Sequence, residues 1–513
     1  MNLSYKPKER RVVPNWRYYE TTIEAGELDN WKVARPREDV YAIDDYVQLW
    51  EEHHSLYRAG DLLSAAITNN DRNNDAVKEA ASYILDREDV STKSLLSSAK
   101  TILGVEDIKT PSKKEIQRLR ECTAIVDIRQ KIHLIRQRLH FMPYNPFLYV
   151  DLSRAYLLIG QNKKAEEAIL RALHFGETNR FVARSAARFF LHEQDRDRAY
   201  DVIRAKGAVA VDPWLIAAEI SINMLRGKSS NYVKKGRDII DSGNCSPFGF
   251  TELASSIGTL EMTAGAHRKS NKLFRKALIE PNDNSLAQVQ WVNSFEPLSL
   301  NLNMSVRNAY EVNTFEKVVN GDYSGAMHEA VSWICDMPFA HKPVNIGYNI
   351  STNLLHDFEL ASAILDVGLQ SDESSPFLLN NKAYCSARAN KIDEAKETFS
   401  KLLTAQIDGS PSWKVCIPAT EGLIYYRSKD LKSGSAKYKE AIETAKSIAD
   451  VDGGLILYKK AVLNYCRERL IARDGDPNKV LAEASTVAID EDEGELKVLF
   501  DEITNEYNHI ENE

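Results

Sequence analysis

Eleven histidines and six cysteines are the residues of this chain best suited to acid–base, metal or redox chemistry, and neither set falls into a working pattern. The cysteines, at 122, 245, 335, 385, 416 and 466, show no Cys-x-x-Cys spacing. Several lie in helical stretches, where a free thiol behaves as a small apolar group. Among the histidines, Arg129/His133, Arg136/His140 and Arg188/His192 each leave three intervening residues, short of the longer Arg-to-His spacing of some helical nucleases. Residues four apart share one helix face, which is more often solvated than catalytic. His53 and His54 are adjacent and point in different directions around a helix. A GxxxxGK(S/T) phosphate loop, an HExxH metal pair and a GxSxG nucleophile elbow are all missing. The sequence therefore suggests no catalytic residue, no cofactor and no metal, and a non-enzymatic chain is expected.

A different spacing is strong, and it concerns small residues. Ala165, Ala199, Ser270, Ala326, Ala361, Ala395 and Gly434 mark units that start at 146, 180, 251, 307, 342, 376 and 415. Several successive units are 34 or 35 residues apart, and the double gap after 180 hides one more copy from about 211, with Trp214, Ala217 and Ala218. Within a unit, a small residue at the eighth place (Ser153, Ala187, Ala218, Gly258, Ala383, Gly422) lets a second helix approach. A bulky residue at the twenty-fourth place (Ile169, Ile203, Phe274, Leu365, Phe399, Tyr438) fills the next space. One such pair cannot bury its apolar stripe alone, so neighbours must stack.

In the clearest copy, Pro146 to Asn179, Tyr149, Leu152, Ser153 and Tyr156 precede Gly160, and Ala165, Ile169 and Ala172 follow it. This pattern resembles the tetratricopeptide repeat. The resemblance implies an all-α chain, a solenoid of stacked helix-turn-helix repeats. It further implies an elongated right-handed superhelix in which each unit touches only its neighbours, and a concave surface for binding proteins.

The rest of the chain divides around these repeats. Residues 1–45 mix Lys6, Lys8, Arg10, Arg11 and Arg17 with Trp16, Tyr18, Tyr19, Trp31 and three prolines. They read as an extended arm that could fold back along the solenoid, cap its first helices or grip a partner; fold-back is the expectation here. Residues 46–140 read as degenerate helix pairs with a turn at Ala59-Gly60-Asp61. Repeats follow over 141–282 and 307–489, separated by an insert at 283–306 rich in Asn, Ser, Pro and Leu. Residues 490–513 hold ten acidic residues and one lysine, as suits a polar capping helix or tail. Apolar runs fall far short of the roughly 20 residues of a membrane span, and the N-terminus lacks the apolar stretch of a secretory leader. A cytoplasmic protein is expected.

A net charge of −8 argues against a general nucleic-acid binder. The basic stretch at 113–138 is interrupted by Glu115, Glu121 and Asp127 and reads as a solvated face. In proteins resembling this one, places 2, 5, 9 and 12 of each first helix line the groove. Here those places supply Arg154, Arg184 and Arg188 early, and Asn353, Asn380, Tyr384 and Tyr426 later. Arginines among aromatics suit an acidic peptide, with buried pairing to Glu166 or Asp195 as the internal alternative. An aromatic, amide-rich groove suits an extended or helical peptide. The chain's own arm or insert could equally fill either groove. The Lys/Asn pair that related co-chaperones use to hold a terminal carboxylate is absent from places 5 and 9.

The reading that follows is a scaffold or adaptor that binds one or more proteins; a homo-oligomer is compatible with it. Two other classes stay open: a regulatory or sensor subunit of a multi-protein enzyme complex, such as a bacterial operon partner of a nuclease or protease, and an RNA-binding repeat protein.

Overall fold

The computed structural model describes residues 9–17, 43–68, 71, 74–87, 91, 93–103 and 111–512, except 299, 303, 408, 451–452 and 491–492. Every regular element among them is helical. No helix among the described residues is long and apolar enough to cross a membrane. The chain divides into two units, residues 20–114 and residues 1–19 with 115–513.

The smaller unit contains α1 (Ile43–Glu52), α2 (Leu56–Thr68), α3 (Asp75–Leu85) and α4 (Lys93–Leu103). Trp50, Leu62, Leu63 and Ile84 are fully buried in a core of its own. The turn expected at 59–61 is not there, because α2 runs straight through it. Ala59, Leu62, Leu63 and Ala66 form one continuous buried stripe, and Gly60 leaves room for Leu95, whose Cδ2 a Cβ would meet at 2.7 Å. Packing outweighs the weak helix preference of a single glycine.

The larger unit begins in α5 (Pro111–Cys122), which spans the boundary, and α6 (Ile125–Phe141). Helix pairs then follow one another: α7 (Pro146–Leu157) with α8 (Asn162–Phe175), α9 (Arg180–His192) with α10 (Arg196–Arg204), α11 (Pro213–Leu225) with α12 (Val233–Ser242), and α13 (Pro247–Thr263) with α14 (His267–Ala277). A single helix, α15 (Asp283–Asn293), comes next. The pairs resume with α16 (Tyr310–Val319) and α17 (Tyr323–Asp336), α18 (His341–Asn353) and α19 (Phe358–Ser371), α20 (Pro376–Arg388) and α21 (Ile392–Thr404), and α22 (Trp413–Arg427) and α23 (Leu431–Ser447). The last pair, α24 (Gly454–Ile471) and α25 (Pro477–Ser485), precedes α26 (Gly494–Asn512). These are tetratricopeptide-like repeats. The segment expected as an insert holds α15, and 454–485 adds a helix pair that the small-residue ruler did not mark.

Local chemistry sets the helix ends. The side chains of Asn145, Asn179 and Asp212 each accept two backbone N–H bonds from the first turn of α7, α9 and α11, and proline follows the first and third of these caps. The turn inside a repeat needs one left-handed residue. Gly160 supplies it at φ 69°, while Gln194, Asn390 and Lys429 take the same conformation at 60°, 59° and 67°, at some cost in strain.

The small-residue ruler is visible atom by atom. Ser153 Oγ donates to the Ala165 carbonyl at 2.7 Å, and Ser270 Oγ donates to that of Gly258 at 2.8 Å. A Cβ on Gly422 would meet the Gly434 carbonyl at 3.2 Å and Tyr438 at 2.9 Å. Ala165, Ala199, Ala326, Ala361 and Ala395 are all fully buried.

Repeats also touch others far along the chain, contrary to neighbour-only contact. One core joins Leu119 and α6–α13 to residues of α16–α20. Gln370 Nε2 donates to the carbonyls of Thr123 and Leu158 at 3.1 and 2.8 Å. Arg118 Nη2 donates to Ser332 Oγ at 2.7 Å. Gly160 permits this seam, since a Cβ there would lie 3.1 Å from the Gln370 carbonyl.

Replacing Ala165 or Ala395 with leucine overpacks a closed crossing and should cost about 1–3 kcal/mol. Thermal unfolding checks this; unchanged melting in both variants would mean that the repeat register is misplaced.

Candidate functional site

Two interior surfaces carry the polar side chains that could recognise something. The first is already filled. Residues 9–17 run without helix between the early repeats, α15 and α16–α18, so the described part of the arm folds back as expected; 1–8 and 18–42 lie outside the described residues. Trp16 is fully buried, with its ring 6.1 Å from that of Phe189 and 5.3 Å from that of Phe339. Arg10 donates to Glu311 Oε1 and Gln288 Oε1 at 2.9 Å and to Asn284 Oδ1 at 3.1 Å. Amides of α15 in turn read the arm's backbone: Asn284 Nδ2 donates to the Val13 carbonyl at 2.8 Å, and Gln288 Nε2 to that of Arg10 at 3.0 Å. Arg17 bridges Asp283 at 2.9 Å and Asp336 at 2.7 Å.

The three early arginines lie in this filled region, engaged with the chain itself. Arg154 is buried and donates to the Asp336 carbonyl at 2.6 Å. Arg184 donates to Glu252 at 2.8 Å and to the Trp214 carbonyl at 3.1 Å. Arg188 lies over Phe339, 6.0 Å from the ring centre, and Arg154 lies over the same ring at 5.8 Å. The structure thus brings Arg154 and Arg188 together at Phe339, while Arg184 is held at Glu252. Glu166 and Asp195, the internal partners weighed from sequence, instead meet Arg198 at 2.6 and 4.0 Å.

Burial dominates the electrostatics here. It pushes the Glu311 carboxyl up, but Arg10 and Lys342 overcome it and hold the group at about 2. Burial lowers Lys342 to about 8 despite Glu311, and Arg188 to about 10. Burial, with His341 and Arg188 nearby, takes His192 down to about 3, so this imidazole is neutral near pH 7.

The second surface is open among the described residues. Helices α18, α20, α22 and α24, with α26 across them, enclose a cavity of about 350 Å³. Asn353, Asn380 and Tyr384 line it, together with Tyr348, Phe377 and Asn381. Tyr426 does not line it. Its hydroxyl donates to Asp474 at 2.7 Å, and its ring packs where Gly434 leaves space.

Charged groups frame the cavity. Arg388 meets Glu502 of α26 at 3.1 Å, Lys460 meets Glu495 at 2.6 Å, and Asn353 Nδ2 donates to Glu495. Burial raises the Glu502 carboxyl, but His356, Arg388 and Arg467 bring it to about 2. Within the cavity wall, Asn380 Oδ1 and Asn381 Nδ2 are buried with no hydrogen-bond partner among the described residues. Asn380 itself is 8% exposed. An acceptor and a donor on adjacent residues are thus left unmade, which costs about 1–3 kcal/mol for each group.

Sequence reasoning passed over Asp283, Asn284, Gln288, Glu311 and Asp336, which hold the arm. For Asp283, Asn284 and Gln288 the signal was the insert rich in Asn and Ser, two of whose amides read the arm's backbone; Glu311 and Asp336 lie outside it.

No family model and no curated protein matches this chain. Among solved structures, it is similar to the APC/C hetero-tetramer Cut9–Hcn1, at 12% identity over 90% of this chain and 92% of that one, with a TM-score of 0.37. It is also similar to yeast Tom70, at 10% identity over 91% and 97% of the two chains with a TM-score of 0.29. The TPR domain of P58(IPK) matches at 12% identity over 71% and 99%, with a TM-score of 0.19. The fold assignment rests on this chain's own helix pairs.

Two expectations follow. Arg184→Glu sets a second carboxylate against Glu252, which is 2% exposed, and should destabilise the chain by roughly 3–5 kcal/mol; unaltered chemical denaturation would show that the pair is dispensable. Glu311 titrates at about 2 when folded against 4.5 as its ordinary value. A depressed folded pKa gives stability that is complete above the unfolded value and lost as pH falls through the folded one. Melting temperature should therefore drop between pH 4.5 and 2, and Glu311→Gln should lower it at pH 7 while flattening that acid limb.

Proposed function

We propose that the chain is a non-enzymatic scaffold that holds a segment of a partner protein in the groove of its later repeats. The observation that carries this reading is the pair of unsatisfied amides, Asn380 Oδ1 and Asn381 Nδ2, in the wall of the cavity. A peptide group offers one N–H and one C=O, the complement of this pair. Tyr348, Phe377 and Tyr384 surround the amides with aromatic surface, and Phe377 is 42% exposed. Recognition surfaces combine such anchors with a few placed polar groups. Asn353, Asn380 and Tyr384 are the contact residues in this reading. Arg154, Arg184 and Arg188 serve the early groove, where the arm stands in the place of a partner.

Asn380→Leu provides the test. Because the amide oxygen is unpaired in the free chain, leucine should leave the melting temperature unchanged or raised. Capture of the native partner should fall about tenfold or more, which corresponds to ~1.4 kcal/mol. Arg198→Ala, on a residue outside both grooves, should capture normally. Equal capture of every partner by wild type and Asn380→Leu would refute the reading.

A further inference from the structure

The seam between α5 and α17 brings together two cysteines that lie far apart in sequence. Cys122 ends α5 and Cys335 sits near the end of α17; both are half-buried free thiols. Cys122 Sγ donates to the Leu119 carbonyl at 3.4 Å, and Cys335 Sγ donates to the adjacent Arg118 carbonyl at 3.9 Å. Arg118 fixes the seam through Glu115 at 2.6 Å and Ser332 at 2.7 Å. Each of the two thiols is also the largest influence on the other's acidity. Cys335 holds Cys122 protonated, while Cys122 and Arg118 together bring Cys335 down against its burial and the carboxylates of Glu115 and Asp336.

The other cysteines lack this arrangement. Burial pushes the thiols of Cys385, Cys416 and Cys466 up. Low thiol acidity of that kind marks an inert structural cysteine.

We propose that Cys122 and Cys335 form a thiol–disulfide site, oxidised by a peroxide, that cross-links α5 to α17. In the first step the Cys335 thiolate attacks one peroxide oxygen. The O–O bond breaks, an S–O bond forms, and Cys335 becomes a sulfenic acid while the other oxygen leaves as water or an alcohol after taking up a proton. In the second step Cys122 sulfur attacks Cys335 sulfur, the S–O bond breaks, and the Cys122 proton leaves with the hydroxyl as water. Two thiols are oxidised by two electrons in all, and one peroxide is reduced. Two equivalents of a small thiol re-reduce the bond by exchange, the first forming a mixed disulfide and the second releasing it, so that both protein thiols return and the small thiols leave as their own disulfide. The bond would clamp the helix whose next residue, Asp336, anchors Arg17 of the arm. Oxidation therefore adds a covalent tie beside the arm's seat, which is already occupied with both thiols free.

The test is treatment of the full chain with hydrogen peroxide, followed by proteolysis without reduction and mass spectrometry. A Cys122–Cys335 linkage should dominate over any pairing of Cys245, Cys385, Cys416 or Cys466. Dithiothreitol should remove it, and the linked chain should melt at a higher temperature than the reduced one. Serine is close to isosteric, so the single variants should fold. Cys122→Ser should then accumulate a dimedone-trapped sulfenic acid at Cys335, whereas Cys335→Ser should leave Cys122 largely unreacted. Scrambled pairings, or thiols that both stay free under excess peroxide, would overturn the proposal. So would trapping of Cys122 in preference to Cys335.

Discussion

Two helices can cross at backbone contact only where neither carries a large side chain, and the larger unit rests on that steric condition. Ser153 against Ala165, Gly258 against Ser270, and Gly422 against Gly434 each put one backbone against the next. The close crossing leaves a gap one turn away, which Phe274 and Tyr438 fill; a Cβ on Gly258 would meet Phe274 at 2.7 Å. Repetition of this lock stacks the first helices of successive pairs side by side. That stacking is what lets Asn353, Asn380 and Tyr384, from two different repeats, line one cavity.

Buried charge then decides which groove is free. Arg10, Arg17, Arg184 and Lys342 lie inside the early groove and need anions, because an unpaired interior cation is costly. Glu311, Asp283, Asp336 and Glu252 supply them. Each pair joins segments remote in sequence, such as Arg10 with Glu311 and Arg17 with Asp336. The same ion pairs that satisfy the groove therefore tie the arm to α15, α16 and α17, α16 to α18, and α9 to α13. Among the described residues, the later groove holds no such tenant over Asn380 and Asn381.

Much of the fold was legible because it depends on residue size at fixed intervals. Ala165, Ala361 and Ala395 sit where the spacing places them. Arg10, Trp16 and Arg17 also advertised an arm that folds back, being cationic and aromatic among prolines. The final pair, 454–485, escaped because α24 extends over 18 residues and carries the turn out of the ruler's register. The role of 283–306 was hidden for a different reason. Asn284 and Gln288 look like loop residues by composition, yet their amides become backbone readers once the arm lies beside them. Charge alone could not show what neutralises Arg154, Arg184 and Arg188. The Asp336 carbonyl for Arg154, the Glu252 carboxylate for Arg184 and the Phe339 ring for Arg188 are set by long-range packing, which periodicity does not encode. Tyr426 shows the finer limit, since its register place is right but Gly434 gives its ring room to turn away.

Hydrogen exchange on the full chain, with and without a captured partner, tests the division of labour between the two grooves most directly. Protection should rise over 348–353 and 377–388 and stay constant over 9–17 and 180–192. Loss of protection at 9–17 with a gain at 180–192 would contradict it, because the partner would then have displaced the arm and taken the early groove.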